Sequence, residues 1–170
     1  MTTHRGRARR LDDDINTDYI IASTRKKETL DEKILKQYLL EAVDPGFAAS
    51  VRAGDVLVAG ANFGCGSAME VAATVVLAAG IPIVLAKSFA RSFYRNAINN
   101  GLLAIECDTS DILEGDTVSV ESDTSGTTVV DERTGRRELR PPLGGIAGEI
   151  LAAGGLVPYL KRERRFVSTR

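Results

Sequence analysis

VLVAGANFGCGSAMEVAATVVLAAGIPIVLAKSFARSFYRNAINNGLLAIEC, residues 56 to 107, is the stretch that decides the fold. It contains three short apolar runs of the kind that form buried strands: Val56 to Ala59, Ile81 to Ala86 and Leu102 to Cys107. Two helix-forming segments separate these runs, and a glycine follows each segment: Ser67 to Ala79 and Ser88 to Asn100. Strands that alternate with helices favour a parallel sheet with right-handed crossovers, so we predict an α/β fold with a βαβαβ core.

The sequence on either side of this core has a different pattern. On its C-terminal side we predict a β-hairpin followed by a helix: Thr117 to Glu121, Thr127 to Asp131 and Gly145 to Ala153. On its N-terminal side, residues 11–22 predict an acidic turn and then a short apolar strand, and Asn16-Thr17-Asp18 is typical of turns. Residues 23–29 predict an exposed loop, and residues 31–43 carry apolar side chains at the spacing of an amphipathic helix.

Length and composition indicate a single domain over residues 1–170, with flexible ends at about 1–10 and 162–170. The chain is 44% hydrophobic and 26% charged, which is ordinary for a globular protein. Its net charge of −1 gives no electrostatic reason to expect nucleic acid or a membrane as a partner, and the basic run Lys161 to Arg165 is typical of a solvated tail. Because the sequence has neither a long apolar span nor the apolar segment of a secretory signal, we expect a cytoplasmic protein.

Cysteine and histidine are too scarce for several kinds of site. The two cysteines, Cys65 and Cys107, are too few for a disulfide framework or for a zinc site made by this chain alone. The one histidine, His4, argues against a Ser-His-Asp triad, a Cys-His pair or a multi-histidine metal site. Any catalysis must therefore use a hydroxyl, a carboxylate, lysine or arginine, or a cofactor held elsewhere.

The glycine-rich loop after the first buried strand is the main candidate site. Gly60, Gly64 and Gly66 surround Ser67, and glycine lets a backbone approach a ligand closely and adopt positive φ. The N–H groups at a helix start suit an anion such as a carboxylate or a phosphate. An alternative is purely structural, because Ser67 and Glu70 have the S-x-x-E spacing of a capping box. Dinucleotide binding is disfavoured because the third glycine of G-x-G-x-x-G is missing.

Basic residues occur at two further places. Lys87 lies just beyond the second strand, at the edge where α/β sheets bind ligands. Arg91 and Arg95 are four residues apart on one face of the following helix, and arginine binds carboxylates through paired hydrogen bonds. Each arginine could instead be solvated or paired with an acidic residue of the chain. Arg25 and Lys27 belong to a polar, basic segment that is either a solvated loop or a substrate-selecting one.

Four stretches resemble, in this order, one family of proteins: DDINTDYII (13–21), VAGANFGCGS (58–67), AKSFARSFYRNAINNGL (86–102) and EILAAGGLVPYL (149–160). The family comprises the small subunits of 3-isopropylmalate dehydratase, homoaconitase and dimethylmalate dehydratase, which correspond to the swivelling C-terminal domain of aconitase. The resemblance extends from about Asp12 to Lys161. It implies that the α/β core belongs to an aconitase-type swivelling β/β/α domain.

The resemblance also implies a partner, a cofactor and a reaction. Family members act with a large subunit that carries a 4Fe-4S cluster, and this chain, with two cysteines, is not expected to bind that cluster itself. The substrates are 2-hydroxy di- or tricarboxylic acids, which are isomerised by dehydration and rehydration with a cluster iron as Lewis acid. A serine alkoxide removes the carbon-bound proton, and Ser67 matches that serine. We therefore expect a hydro-lyase subunit, by default of 3-isopropylmalate dehydratase in leucine biosynthesis, that is active only with its large subunit.

Two departures from the family pattern leave the substrate open. The family has GCGSSREHA or GCGSSREQA where this chain has GCGSAMEVA, so Ala68 replaces a serine and Met69 replaces an arginine expected to hold a substrate carboxylate. In the substrate-selecting loop, Lys27 falls where an arginine is expected. A related hydro-lyase for homoaconitate, dimethylmalate or maleate, or a non-catalytic binding subunit of the same fold, is therefore an alternative. Beside Ser67, the predicted substrate-binding residues are Arg25, Lys27, Asn62, Gly64, Gly66, Ala68, Met69, Lys87 and Arg91.

Overall fold

The computed structural model describes residues 2–163, which form a mixed seven-stranded sheet covered by helices. The strands are β1 Thr2–Arg10, β2 Val56–Ala59, β3 Ile83–Ala86, β4 Leu103–Glu106, β5 Thr117–Asp123, β6 Gly126–Asp131 and β7 Arg137–Arg140. The helices are α1 Thr17–Ile20, α2 Ser23–Glu28, α3 Glu32–Leu35, α4 Phe47–Ser50, α5 Val71–Ala78, α6 Arg91–Asn99, α7 Gly145–Ala152 and α8 Leu156–Glu163, and Lys36–Tyr38 form a 3₁₀ turn. In this part of the chain, no helix has the length and apolar character needed to cross a membrane.

The sheet has a parallel half and an antiparallel half that meet at β1. The strand order is β4-β3-β2-β1-β5-β6-β7. Residues 8–10 of β1 pair in parallel with β2, whereas residues 2–7 pair antiparallel with β5. β2, β3 and β4 are mutually parallel, so the predicted βαβαβ core is confirmed. β5, β6 and β7 follow one another as an antiparallel meander.

A different layer covers each face of the parallel strands. On one face, Leu57 and Val84 belong to a buried cluster with Phe93 of α6. On the other face, Val58 shares a buried cluster with Val118 of the antiparallel strand β5. The order of layers is therefore helices, parallel strands and antiparallel strands, and the predicted β/β/α fold class is confirmed.

The N-terminal strand overturns the prediction of a flexible end at about residues 1–10. β1 occupies the middle of the sheet and has strands hydrogen-bonded on both sides. Its side chains are mostly polar, so apolar periodicity does not reveal it. They are held by carboxylates remote in sequence: Arg7 donates to Asp55 over 2.6 Å and Arg5 donates to Glu132 over 2.6 Å.

The segment between β1 and β2 also differs from the prediction. The short strand predicted within residues 11–22 is the helix α1 instead, because Asn16 Oδ1 accepts a hydrogen bond from the backbone N–H two residues on, over 2.9 Å. Residues 23–29, predicted as a loop, contain α2. The helix predicted over residues 31–43 is interrupted after α3 and the 3₁₀ turn, since Leu40 has φ +56, which an α-helix does not accommodate.

The C-terminal part confirms the predicted hairpin, as β5 and β6, and the predicted helix, as α7. The short charged strand β7 and the helix α8 were not predicted. The flexible end predicted at about residues 162–170 and the basic run that begins at Lys161 lie, beyond Glu163, outside the described residues. As far as Glu163, both belong to α8.

Candidate active site

The candidate site lies at the carboxyl edge of the parallel strands. The glycine loop leaves β2 at this edge, and the residues that follow β3 and β4 lie beside it because the three strands run in parallel. Backbone hydrogen bonds tie the loop to neighbours on two sides. The Phe63 N–H donates to the Ser88 carbonyl over 3.0 Å, and the Gly64 N–H donates to the Ile15 carbonyl over 2.8 Å. The loop is therefore anchored to the edge of the sheet.

Two glycines of the loop are required by close packing within the protein. Gly64 has φ +79, and a Cβ atom there would lie 2.3 Å from the side chain of Phe93. Gly66 has φ +88, and a Cβ atom there would lie 2.5 Å from Oδ1 of Asn16. Both conformations lie in the left-handed region that favours glycine. These packing demands account for the two glycines, and their contact with a ligand stays a prediction.

Ser67 is exposed and does not cap a helix. α5 begins four residues later at Val71, with Glu70 in the N-cap position and no side-chain capping bond. The capping-box alternative is therefore wrong, and the Glu70 carboxylate instead accepts a hydrogen bond from Asn100 over 3.2 Å. The Ser67 carbonyl accepts a hydrogen bond from the Thr17 hydroxyl over 2.9 Å. Within residues 2–163 the Ser67 hydroxyl has no hydrogen-bond partner, so it is available to a ligand.

Three basic side chains at this edge are exposed and unpaired. Lys87 follows β3, and its backbone N–H donates to the Gly60 carbonyl over 3.1 Å. Arg91 opens α6, and Arg95 lies one turn further along the same helix. In the described part of the chain, none of the three forms an ion pair with a carboxylate. The alternative in which the two arginines pair with acidic residues is therefore wrong for residues 2–163.

A depression of about 370 Å³ adjoins the site beyond the ends of β3 and β4. Lys87, Asp108 and Arg140 are among the residues that line it. Hydrogen bonds from Ser110 and from the Arg136 guanidinium hold the pKa of Asp108 well below its ordinary value, so this carboxyl is ionised at neutral pH. The depression therefore presents both signs of charge. The sequence signal that points to it is the position of Lys87 and Asp108 just after parallel strands.

Arg25 and Lys27, the two predicted substrate-binding residues on α2, differ in whether their charge is already paired within the protein. Arg25 donates two hydrogen bonds to the Glu41 carboxylate, over 2.9 and 3.1 Å. Its guanidinium also lies 3.9 Å from the centre of the Tyr38 ring. Lys27 is exposed and forms no ion pair among the residues that the structure describes. Lys27 is therefore the residue of the two whose charge is free for a ligand.

Asn62 and Met69 lie in different environments, because Asn62 is exposed and Met69 is buried. Asn62 Nδ2 donates to the Asp14 carboxylate over 2.7 Å. Met69 is only 5% exposed and belongs to the core cluster that lies under α5 and α6. Its sulfur lies 3.9 Å from the hydroxyl of Ser23, at the start of α2. Ala68 is exposed, so the chain turns from solvent into the core between these two consecutive residues.

Neither cysteine belongs to a metal site. Cys65 is partly exposed, and its sulfur lies 3.5 Å from the Asp14 carbonyl oxygen. Cys107 is buried, and burial raises the pKa of its thiol to about 12, so the thiol is protonated at neutral pH. Between residues 2 and 163, no group of three or more His, Cys, Asp or Glu side chains is placed to hold a metal ion. Iron–sulfur clusters are bound by cysteine thiolates, so the residues of this chain do not fit one.

The sequence and this architecture match a known family. The family model described as the aconitase C-terminal domain matches residues 12–110, more than half of the chain and the part that contains the whole candidate site. This chain belongs to the aconitase C-terminal domain family. Three of the four stretches that carry the resemblance lie within these residues, and the relatives described next also cover the fourth, so the resemblance is confirmed.

Individual members of the aconitase C-terminal domain family are similar to this chain along almost its whole length. A methanogen homoaconitase small subunit from Methanocaldococcus jannaschii is 42% identical, and the match covers 98% of this chain and 96% of that protein. A 3-isopropylmalate dehydratase small subunit from Methanopyrus kandleri is 45% identical, covering 94% and 93%. The crystal structure of a 3-isopropylmalate dehydratase from Methanocaldococcus jannaschii has a TM-score of 0.89 and 42% identity, covering 96% of each chain.

Proposed function

We propose that this chain is the small subunit of a two-chain hydro-lyase that isomerises a 2-hydroxy acid by dehydration and rehydration. Its near full-length similarity to small subunits of such enzymes supports the assignment. The observation that carries the proposal is the exposed Ser67 hydroxyl at a sheet edge that also presents unpaired basic side chains. The partner would be a large subunit that carries the 4Fe-4S cluster, which the family and the small-subunit names of the relatives support.

In this proposal the Ser67 alkoxide takes the proton from the carbon of the substrate. A serine hydroxyl is a very weak base at neutral pH, so the alkoxide needs positive charge nearby. Lys87 and Arg91 supply that charge and bind the carboxylates of the substrate. Neither side chain is engaged in an ion pair within residues 2–163, so neither must first release a partner.

The first candidate substrate is 3-isopropylmalate, after the names of relatives that cover nearly the whole chain. The second is a homoaconitate-type acid, because a methionine at position 69 cannot form the ion pair with a carboxylate that the family's arginine would form, which leaves the choice of substrate open. The relative named as a homoaconitase small subunit supports the same candidate. A carboxylate at that end of the substrate would then meet Lys27, since Arg25 is bound to Glu41.

The test is an anaerobic assay of this chain with the cluster-loaded large subunit from the same source. Absorbance of the unsaturated acid would be followed with isopropylmalate, homocitrate, citrate, dimethylmalate and maleate, and each subunit alone serves as a control. We expect turnover only when both chains are present. Fastest turnover of isopropylmalate would assign the first candidate substrate, and fastest turnover of homocitrate would assign the second.

Absence of turnover with every acid, although the cluster is intact and the two chains bind, would contradict the hydro-lyase proposal. The non-catalytic alternative would then be favoured. The cytoplasmic location expected from the sequence stays a prediction, which fractionation of the source cells would test.

A further inference from the structure

The turn at Asn16–Asp18 contacts the candidate catalytic loop directly. Thr17 is only 1% exposed, and its backbone N–H donates to the Cys65 carbonyl over 2.8 Å. Its hydroxyl donates to the Ser67 carbonyl over 2.9 Å. One buried residue therefore holds the loop on both sides of Gly66.

The loop is anchored at Phe63 and Gly64, but at Gly66 and Ser67 it belongs to no helix or strand. Gly66 is exposed and has φ +88, and α5 does not begin until Val71. Within residues 2–163, the bond from Thr17 is the one hydrogen bond that Ser67 makes through its backbone or its side chain. Without it, no hydrogen bond from residues 2–163 would fix the Ser67 peptide, which follows a glycine with wide conformational freedom.

The residues on either side of Thr17, Asn16 and Asp18, are themselves held by hydrogen bonds. Asn16 Oδ1 accepts a hydrogen bond from the Asp18 N–H over 2.9 Å and closes the first turn of α1. The Asp18 carboxylate accepts hydrogen bonds from the Ser23 hydroxyl and, over 3.1 Å, from the Ser23 N–H. Asn16 also packs against Gly66, where any side chain would collide with it. Bonds before and after Thr17 thus fix the donor that reaches Ser67.

We propose that Thr17 is a positioning residue of the reaction: its buried hydroxyl fixes the Ser67 peptide so that the serine oxygen faces the carbon of the substrate. This inference rests on the proposed function, in which Ser67 is the base. Thr17 acts through the backbone of Ser67 and not through the substrate. Its removal should therefore lower the rate of proton transfer and leave substrate binding nearly unchanged.

A second threonine supplies a matched control. The Thr109 hydroxyl is completely buried and donates to the Ala59 carbonyl over 2.7 Å. Its acceptor is likewise a backbone carbonyl, but it lies at the end of β2, before the glycine loop. Thr17→Val and Thr109→Val each remove one buried hydroxyl and keep the shape of the side chain. Only the former releases Ser67.

The experiment measures kcat and KM of the two-subunit enzyme for Thr17→Val, Thr17→Ser and Thr109→Val, with the thermal midpoint of each. Misplacement of a catalytic group by about 1 Å can cost about a hundredfold in rate, so we expect Thr17→Val to lower kcat by tenfold to about a hundredfold. KM should change by less than about threefold, since uniform binding is retained. Thr17→Ser should recover most of kcat, and Thr109→Val should lose stability but keep kcat.

Wild-type kcat in Thr17→Val, or a serine variant as slow as the valine variant, would overturn the inference. If Thr17→Val does not fold, Thr17→Ala against Thr17→Ser makes the same comparison with a smaller side chain. A Ser67→Ala variant distinguishes failure of the positioning role of Thr17 from failure of the proposed function. An inactive Ser67→Ala enzyme together with an unimpaired Thr17→Val enzyme refutes only the positioning role, whereas an active Ser67→Ala enzyme refutes the base itself.

Discussion

Arginines in the antiparallel half of the sheet are paired, whereas basic residues at the carboxyl edge of the parallel half are not. Arg133 lies 2.9 Å from Asp116 and Arg137 lies 2.7 Å from Glu121. Lys87 and the basic residues of α6 form no ion pair within residues 2–163. The same chemical groups thus have two uses. Charge in the antiparallel half joins strands, and charge at the parallel edge stays free to bind an anion.

The largest loss of stability is expected from a change at Asp55, whose ion pairs link the start of β2 to β1. The Asp55 side chain is 3% exposed and lies 2.6 Å from Arg7 and 3.5 Å from Arg9, both on β1. Asp55→Asn would remove the buried carboxylate that both arginines share and leave the buried Arg9 with the exposed Glu114 as its remaining ion-pair partner, so we expect the free energy of unfolding to fall by about 3 kcal/mol. Chemical denaturation measures this loss. Asp111→Asn, which removes an exposed partner of Arg136, is the control and should cost less than about 1 kcal/mol. Equal losses would contradict the structural use of the buried pair.

The next largest effect should be a loss of kcat/KM, and it should follow only from removal of a charge at the carboxyl edge of the parallel strands. Lys87→Met removes a charge that the proposed function gives to a substrate carboxylate, and a bond of that kind contributes about 1.5–3 kcal/mol. We therefore expect kcat/KM to fall by about tenfold to a hundredfold. Arg137→Met is the matched change in the antiparallel half and should leave kcat/KM within about twofold of the wild-type value. Similar losses of kcat/KM in both variants would contradict the distinction between charges that join strands and charges that bind the substrate.

The smallest effect is a pH dependence of stability in the antiparallel half. Hydrogen bonds from Arg5 and from the Ser119 hydroxyl lower the pKa of Glu132 from 4.5 to about 2. Because the folded pKa is the lower one, the stabilisation is complete above about pH 4.5 and is lost as the pH falls toward about 2. Glu132→Gln should flatten the dependence of the thermal midpoint on pH in that window. An unchanged slope in the variant would show that Glu132 is not responsible.

Predictability from sequence follows the same division. The parallel strands were predictable because each is mainly an apolar run, and β2 has the predicted bounds, Val56–Ala59. β1 was not predictable, because its polar side chains are satisfied by Asp55, Glu114 and Glu132, far along the chain. Local patterns cannot identify such partners. A polar strand at the centre of a sheet is therefore missed.

The candidate site divides in the same way. The positions of Ser67 and Lys87 beyond strands followed from the order of elements alone. The pairing of Arg25 with Glu41 and the burial of Met69 depend on how α2 packs. The sequence therefore could not show which side chains are available to a ligand and which are already bound within the protein. The buried hydroxyl of Thr17 was predicted only as part of a turn. Its acceptor lies 50 residues away in the chain.

The most direct test of the account is kcat of the two-subunit enzyme with Ser67→Ala, compared with Ser125→Ala as control. Ser125 lies in the β5–β6 turn, where its hydroxyl donates to Asp123 over 2.6 Å, and its loss should not affect turnover. General bases contribute about a hundredfold to ten-thousandfold, so kcat of Ser67→Ala should fall by about a thousandfold while the large subunit still binds. Turnover of Ser67→Ala within about tenfold of wild type would contradict the assignment of Ser67 as the base.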